Sequence, residues 1–161
     1  MEVRNYIYRL LVITIIFMVS CEPLPPRHGG KVIKVKDGDS IVLLETGNRQ
    51  VEIRMAHIDA PEYSQAFGRK SKTFLSDLIA GEEVKYRIYE PEDRYGRVVA
   101  EIILNDSINV NKEMVRNGYA WHFKKYSNDF RYGRLERAAR QAGLGLWADE
   151  GAVAPWEFRN N

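Results

Sequence analysis

Three short runs of apolar and β-branched residues lie close together in the first part of the chain, and they constrain the fold most. They occupy residues 32–35, 40–44 and 51–55. The first two runs are separated by residues 36–39, which contain an Asp-Gly pair, a strong signal for a tight turn. A second turn signal, Thr-Gly-Asn at 46–48, separates the second run from the third. The pattern predicts three consecutive strands joined by tight turns.

The rest of the domain combines helix and strand patterns. Apolar residues recur at three- and four-residue spacing over residues 67–79, which is typical of an amphipathic helix. Further strand and helix patterns cover residues 84–89, 98–104, 110–117 and 128–142. Five short strands with a helix after the third suit a small closed β-barrel such as the OB-fold, in which no sheet edge is exposed. The predicted class is α+β, and from the pattern alone this barrel is one of several candidates.

The first twenty residues have the pattern of an export signal. Arg4 and Arg9 precede an apolar run over residues 10–19, in which Thr14 is the main polar interruption. This run is shorter than the about 20 residues that span a bilayer as a helix. Residues 1–20 are therefore predicted to be a signal peptide rather than a transmembrane helix.

Cys21 follows soon after this apolar run and is the only cysteine in the chain, so an intrachain disulfide is impossible. Residues 18–21, Met-Val-Ser-Cys, resemble a bacterial lipobox, in which the cysteine is lipidated and becomes the mature N-terminus. We therefore expect an exported lipoprotein, anchored to the cell envelope on its periplasmic or extracellular face. The membrane contact is expected through the lipid anchor only, and the protein is expected to be a monomer.

Proline and glycine are concentrated in residues 21–30, which contain three prolines and two glycines. This composition is typical of a tether that holds a domain away from a membrane. The folded domain is predicted over residues 31–148, followed by a tail at 149–161. Lysine and arginine total 24 against 22 acidic residues, so the overall charge gives little support for a polyanionic partner. Anion binding would have to come from local clusters of basic residues.

Three carboxylates lie at or just beyond the ends of predicted strands. They are Asp39, Asp59 and Glu62, and hard divalent cations prefer such oxygen ligands. Each of them taken singly is more often a turn or loop residue. Arg54 and Arg97 add two guanidinium groups, which bind phosphate in a bidentate manner. Together, the five residues have the chemistry needed for attack by water on a phosphodiester.

Four segments of the chain resemble, in order, the signatures of the staphylococcal nuclease (thermonuclease) family. They are Asp-Gly-Asp-Ser at 37–40, Arg54 with Asp-Ala-Pro-Glu at 59–62, Asp-Arg-Tyr-Gly-Arg at 93–97, and Leu-Gly-Leu-Trp at 144–147. The resemblance extends from about Lys31 to Trp147. It implies an OB-fold barrel of five strands with three helices, and calcium-dependent endonuclease hydrolysis of DNA and RNA. Single-stranded or unpaired regions are the expected substrates.

The resemblance also implies a role for individual residues. By position, calcium would be held by the carboxylates of Asp39 and Asp59 and by the backbone carbonyl of Ala60. Glu62 matches the glutamate that orients or deprotonates the attacking water. The two arginines named above, Arg54 and Arg97, match those that stabilise charge on the phosphate.

Substrate contacts are expected from Arg94 and Tyr95, which match a lysine-tyrosine pair that contacts a terminal phosphate. Lys124 takes the position where the founding member of the family presents a base-stacking tyrosine. Trp121 and Tyr126 lie nearby and offer alternative stacking surfaces, because stacking on an aromatic ring tolerates any base. A place in the core is the alternative to base stacking for three aromatic residues of this region, Trp121, Phe123 and Trp147.

A non-catalytic OB-fold module that binds nucleic acid or protein is the alternative to an enzyme. Degenerate members of the same family are of this kind, and they typically lose the acidic and arginine residues. All five of those residues are present in this chain, which favours the enzyme.

Overall fold

The computed structural model describes residues 28–160. The predicted signal peptide, the lipidation site at Cys21 and most of the predicted tether lie outside the described residues. Eight strands are present in this range: β1 His28–Val35, β2 Ser40–Leu44, β3 Gln50–Met55, β4 Ile58–Asp59, β5 Glu83–Glu90, β6 Val98–Leu104, β7 Ile108–Asn109 and β8 Trp121–His122. The helices are α1 Gly68–Ile79, α2 Val110–Arg116, α3 Phe130–Gln141 and the short α4 Pro155–Phe158. Single 3₁₀ turns lie at Thr46–Asn48 and Gly145–Ala148.

The main sheet closes on itself as a barrel of β1, β2, β3, β5 and β6. The strand order is β3-β2-β1-β5-β6, and a parallel pairing of β3 with β6 joins the two ends. In that pairing Ile53 faces Val98 and Arg54 faces Val99. The expected α+β fold with a small five-stranded barrel is therefore confirmed. A separate two-stranded pair, β4 with β8, sits beside it.

Alternating side chains of the strands fill the barrel. Ile41, Leu43, Ile53 and Ile102 are completely buried, because every second residue of a strand faces the same side of the sheet. α1 adds Leu75 to the same core. Completely burying such side chains stabilises the fold by roughly 1.5–3 kcal/mol each. Within the described range, no helix has both the length and the apolar composition needed to cross a bilayer.

Two segments differ from the expected organisation. β1 begins at His28, so residues 28–30 belong to the barrel although their composition is that of the tether. A Cβ atom at Gly30 would lie 2.5 Å from the Leu44 carbonyl oxygen, so glycine permits a close approach between β1 and β2. Residues 150–160, which belong to the tail expected at 149–161, pack against the domain and contain α4.

Candidate active site

Asp39 and Asp59 approach each other where the β1–β2 turn meets the end of β4. Both are buried, with 6% and 1% of their surfaces exposed. The backbone N–H of Ala60 donates to Asp39 Oδ2 at 2.6 Å. Arg54 Nη2 lies 3.0 Å from Asp59 Oδ1 and 3.2 Å from Asp39 Oδ2. Buried carboxylates are costly unless they are paired, and Arg54 provides the counter-charge for both.

The position of Arg54 follows from the alternation of β3. Its neighbours Ile53 and Met55 face the core, so Arg54 faces the other side. There its Nη1 donates to the backbone carbonyls of Met55 at 2.7 Å and of Ile58 at 2.9 Å. These bonds to the main chain fix the guanidinium plane beside the two aspartates. The sequence pattern predicted that Arg54 lies off the core, and the structure places it there.

Glu62 lies in the loop between β4 and α1, with its carboxylate open to solvent. Its backbone N–H donates to Gln65 Oε1 at 3.1 Å, and its carbonyl accepts from the Gln65 N–H at 2.8 Å. Gly68 begins α1 directly against this loop, and a Cβ atom there would lie 1.8 Å from the Glu62 carbonyl oxygen. A glycine at this position therefore allows the loop to fold back on the helix.

Arg159, at the end of α4, joins the same cluster and was not predicted from the sequence. Its Nη2 lies 2.7 Å from Asp59 Oδ2, and its Nη1 lies 2.6 Å from Glu62 Oε1. The hydrogen bond to Asp59 raises the pKa of the Arg159 guanidinium above its usual value. Pro155 is a favourable first residue for a helix and is the one sequence feature that indicates α4. Nothing in the sequence connects Arg159 with the carboxylates.

A further carboxylate missed by the sequence analysis, Asp37, lies beside Asp39. The backbone N–H of Asp39 donates to Asp37 Oδ1 at 3.0 Å. Burial, followed by the negative charge of Asp39, raises the pKa of Asp37 to about 6. The Asp-Gly pair predicts a tight turn, and the same turn brings the two carboxyl groups together.

Arg97 is held within its own loop. Its Nε and Nη2 lie 2.9 and 2.7 Å from Asp93 Oδ2. Burial opposes ionisation of Asp93, but hydrogen bonds from Arg97 bring the pKa of Asp93 below its usual value. The β3–β6 register places Arg97 two residues before Val99, which faces Arg54. Arg97 therefore lies directly before β6, the strand that pairs with the strand of Arg54. Among the described residues it has no hydrogen bond or ion pair with Asp39, Asp59 or Glu62.

The predicted substrate-binding side chains are exposed. Tyr95 is 66% exposed, and the guanidinium groups of Arg94 and Arg97 lie 4.7 and 5.2 Å from its ring centre. Tyr126 is 70% exposed, with Lys125 Nζ 5.3 Å from its ring centre. Both tyrosine rings are accessible to a partner, and their roles remain predictions.

Trp121 and Trp147 belong to a second apolar cluster. Their rings meet edge to face, 4.4 Å apart, and Leu146 and Ala154 are buried beside them. Arg140 covers the outer face of Trp147, with its guanidinium carbon 3.7 Å from the ring centre. The structure therefore supports a packing role for these two tryptophans rather than a role in base stacking.

The oxygen donors of the site fit a hard cation in their chemistry. Asp39 and Asp59 offer carboxylate oxygens, and Ala60 is buried next to Asp59. Among residues 28–160, however, no group of three or more His, Cys, Asp or Glu side chains is arranged to hold a metal ion. Arg54 and Arg159 pair with the carboxylate of Asp59.

Comparison with known proteins places the chain in a family that the fold also fits. Residues 52–149 match the family model described as staphylococcal nuclease homologue. An "Uncharacterized endonuclease" of Haemophilus influenzae is 40% identical over 150 residues, covering 93% of this chain and 81% of that protein. A protein of the same description from Escherichia coli is 38% identical over 146 residues, covering 91% and 94%. The "Micrococcal nuclease" of Shigella flexneri is 36% identical over 163 residues, covering 94% and 91%.

Proposed function

Because this chain belongs to the staphylococcal nuclease family, we propose that it is a calcium-dependent endonuclease that hydrolyses phosphodiester bonds of DNA and RNA. One observation carries the proposal: Arg54 binds two buried aspartates with a solvent-open glutamate beside them. A hard-cation ligand pair, a carboxylate open to water and a phosphate-binding guanidinium are the components that phosphodiester hydrolysis requires. Relatives named as endonucleases and as a micrococcal nuclease support the same reaction class.

In this proposal Asp39, Asp59 and the Ala60 carbonyl hold the calcium ion. When bound, the ion supplies positive charge that stabilises the negative charge developing on the phosphoryl oxygens. Oxygen ligands also accept magnesium and manganese, so the preference for calcium is inferred from the family.

Glu62 orients or deprotonates the attacking water. Its loop position leaves the carboxylate in contact with solvent, while Gln65 fixes the backbone that carries it. A base must lie within hydrogen-bond reach of the proton that it accepts, so the proposal places the attacking water next to the Glu62 carboxylate.

The two arginines stabilise charge on the phosphate. The contacts with Asp93 use Nε and Nη2 of Arg97 and thereby orient its guanidinium plane. Arg54 is oriented by two main-chain carbonyls in the same way. Donors that are fixed before the reaction cost no reorganisation when charge develops.

Substrate is held by the exposed side chains around the centre. We propose that Arg94 and Tyr95 contact a phosphate and that Tyr126 stacks on a base. Stacking requires an accessible base, so single-stranded or unpaired nucleic acid is the preferred substrate.

The N-terminal pattern adds the location to the proposal. With the expected signal peptide at 1–20 and the expected lipid on Cys21, the proposed protein is exported and anchored to the cell envelope on the periplasmic or extracellular side. A monomeric state is a separate part of the proposal. Its substrate is then nucleic acid outside the cytoplasm.

A cleavage assay on single-stranded DNA and on RNA tests the proposed reaction. Removing one preorganised donor should reduce the rate on the order of 100- to 1000-fold, so Arg54→Ala and Arg97→Ala should be nearly inactive. Glu62→Gln should also be nearly inactive, and a calcium chelator should stop the wild type. Arg116→Ala is the control, because Arg116 lies on α2 and pairs with Glu113.

Two results would contradict the proposal. One is near-full activity in Arg54→Ala or Arg97→Ala, with thermal melting showing that both variants are folded. The other is stable binding of an oligonucleotide without any product in the presence of calcium, which would identify a non-catalytic binding module.

A further inference from the structure

The segment 150–160, here called the arm, is docked on the domain by aromatic packing. Trp156 stacks parallel to Phe123, with ring centres 5.4 Å apart, and meets Trp121 edge to face at 5.6 Å. Ala154 and Pro155 are buried at the start of α4. The arm lies beyond residues 52–149, the part of the chain that the family model matches. Its place in the structure is therefore a feature of this chain that the family match does not describe.

The buried side chain of Gln65 connects the arm with the loop that carries Glu62. Gln65 donates from Nε2 to the Val153 carbonyl at 2.6 Å, and its Oε1 accepts from the Glu62 N–H at 3.1 Å. Only 8% of the Gln65 surface is exposed. The arm and the loop are therefore held in a fixed relation to each other.

In this arrangement Arg159 contacts two carboxylates at once. It bridges Asp59 Oδ2 and Glu62 Oε1 at 2.7 and 2.6 Å. Arg54 binds Asp59 from the other side, through Oδ1. Both oxygens of Asp59 thus accept hydrogen bonds from guanidinium groups, and a divalent cation approaching Asp59 meets the positive charge of Arg159.

We propose that Arg159 is a positioning residue of the nuclease site. As a tethered cation it holds Asp59 and Glu62 together, and it lowers the affinity of the site for divalent metal by competing for Asp59. The inference rests on the proposed metal-dependent function. Its consequence is that the site requires a higher metal concentration than its carboxylates alone would need, because each bound ion must displace an arginine.

Calcium binding measured by titration calorimetry, without nucleic acid, tests the competition directly. Arg159→Gln should bind calcium about tenfold more tightly than the wild type, which corresponds to about 1.4 kcal/mol. Arg159→Lys keeps the charge but loses the bidentate geometry, so its affinity should lie between the two. Arg116→Gln removes the same charge from an exposed position on α2 and should bind calcium as the wild type does.

Trp156→Ala provides a second variant, which retains Arg159 but removes the aromatic contact that docks the arm. It should also bind calcium more tightly than the wild type. The direction of the change separates competition from a structural role, because a damaged site would bind calcium more weakly.

Equal or weaker calcium binding by Arg159→Gln would overturn the inference and leave the nuclease proposal intact. Absence of calcium binding by both the wild type and Arg159→Gln would overturn the proposed calcium dependence together with it. Binding by Arg159→Gln alone would support the competition.

Discussion

Gly68 controls the position of Glu62 because its missing side chain leaves room for the Glu62 carbonyl. Gly68→Ala should shift the loop, since a Cβ atom at 1.8 Å from that oxygen cannot be accommodated. We expect a loss of stability of roughly 1–3 kcal/mol in urea unfolding, as for other overpacked sites. Cleavage should fall about 100-fold, because misplacing a reacting group by about 1 Å has effects of that size.

Gly47→Ala is the matched control for this change. A Cβ atom at Gly47 has no neighbour within 4 Å, although the backbone φ of +77° disfavours alanine. The control should lose roughly 1–2 kcal/mol of stability and retain its activity. Full activity in Gly68→Ala would show that the Glu62 loop does not depend on this contact.

At the residue scale the sequence indicated much of the site but not all of it. Asp39, Arg54 and Asp59 lie together as expected, with Glu62 joined to them through Arg159. Their chemical roles remain predictions. Arg159 was missed because its contacts depend on the path of the arm through space, which no local pattern encodes. Side chains brought together by packing alone leave no signal of spacing or periodicity.

The side chains of two histidines and a serine connect neighbouring elements by hydrogen bonds. Ser127 Oγ lies 2.9 Å from His57 Nδ1 and 3.0 Å from His122 Nε2, and so connects the β3–β4 turn with β8. Burial lowers the pKa of both histidines below the usual value of 6.5. The unfolded chain therefore takes up protons at a higher pH than the folded protein does.

This difference predicts that the two histidines reduce the free energy of unfolding as the pH falls through 6.5 towards the lower pKa values of the folded protein, whereas Asp37, with its pKa raised to about 6, increases it over the same range. The full contribution is present above pH 6.5, where both states are neutral. Urea unfolding at pH 7.5 and pH 5 measures the change. The double variant His57→Gln, His122→Gln lacks the histidine contribution, so its free energy of unfolding should fall by less than that of the wild type between pH 7.5 and pH 5. An equal change of the free energy of unfolding in the double variant and the wild type would exclude His57 and His122 as its cause.

At the element scale, prediction succeeded where a pattern runs long enough to be periodic. The strands of the barrel and the helices α1, α2 and α3 correspond to the predicted segments. β4 and β8 have two residues each, which is too short for an alternation to be visible. α4 is a single turn and depends on its aromatic contacts for stability, so its sequence could not distinguish it from a tail.

One buried amide bridges the two strands where the barrel closes. Asn111 Nδ2 donates to the carbonyls of Ala56 at 2.9 Å and Ala100 at 3.1 Å, and its Oδ1 accepts from the Ile102 N–H at 2.9 Å. Ala56 directly follows β3, and the other two partners belong to β6. The side chain therefore satisfies backbone groups on both strands at the place where the barrel closes.

Asn111→Ala should reduce the free energy of unfolding of the whole domain by roughly 3 kcal/mol or more, because it leaves buried backbone groups without partners. Urea unfolding followed by tryptophan fluorescence measures this change. Asn128→Ala removes an exposed amide and should change the stability by less than about 0.5 kcal/mol. A similar small effect for Asn111→Ala would mean that water replaces the lost hydrogen bonds.

The parallel pairing of β3 with β6 also has a kinetic consequence. It joins strands that are far apart in the chain, and such contacts form late in folding because a long loop must first be closed. Arg54 lies on one of these strands and Arg97 directly precedes the other, so a partly folded chain has the two arginines apart. Refolding intermediates should be unable to cut nucleic acid, and catalytic competence should return only with the final cooperative step.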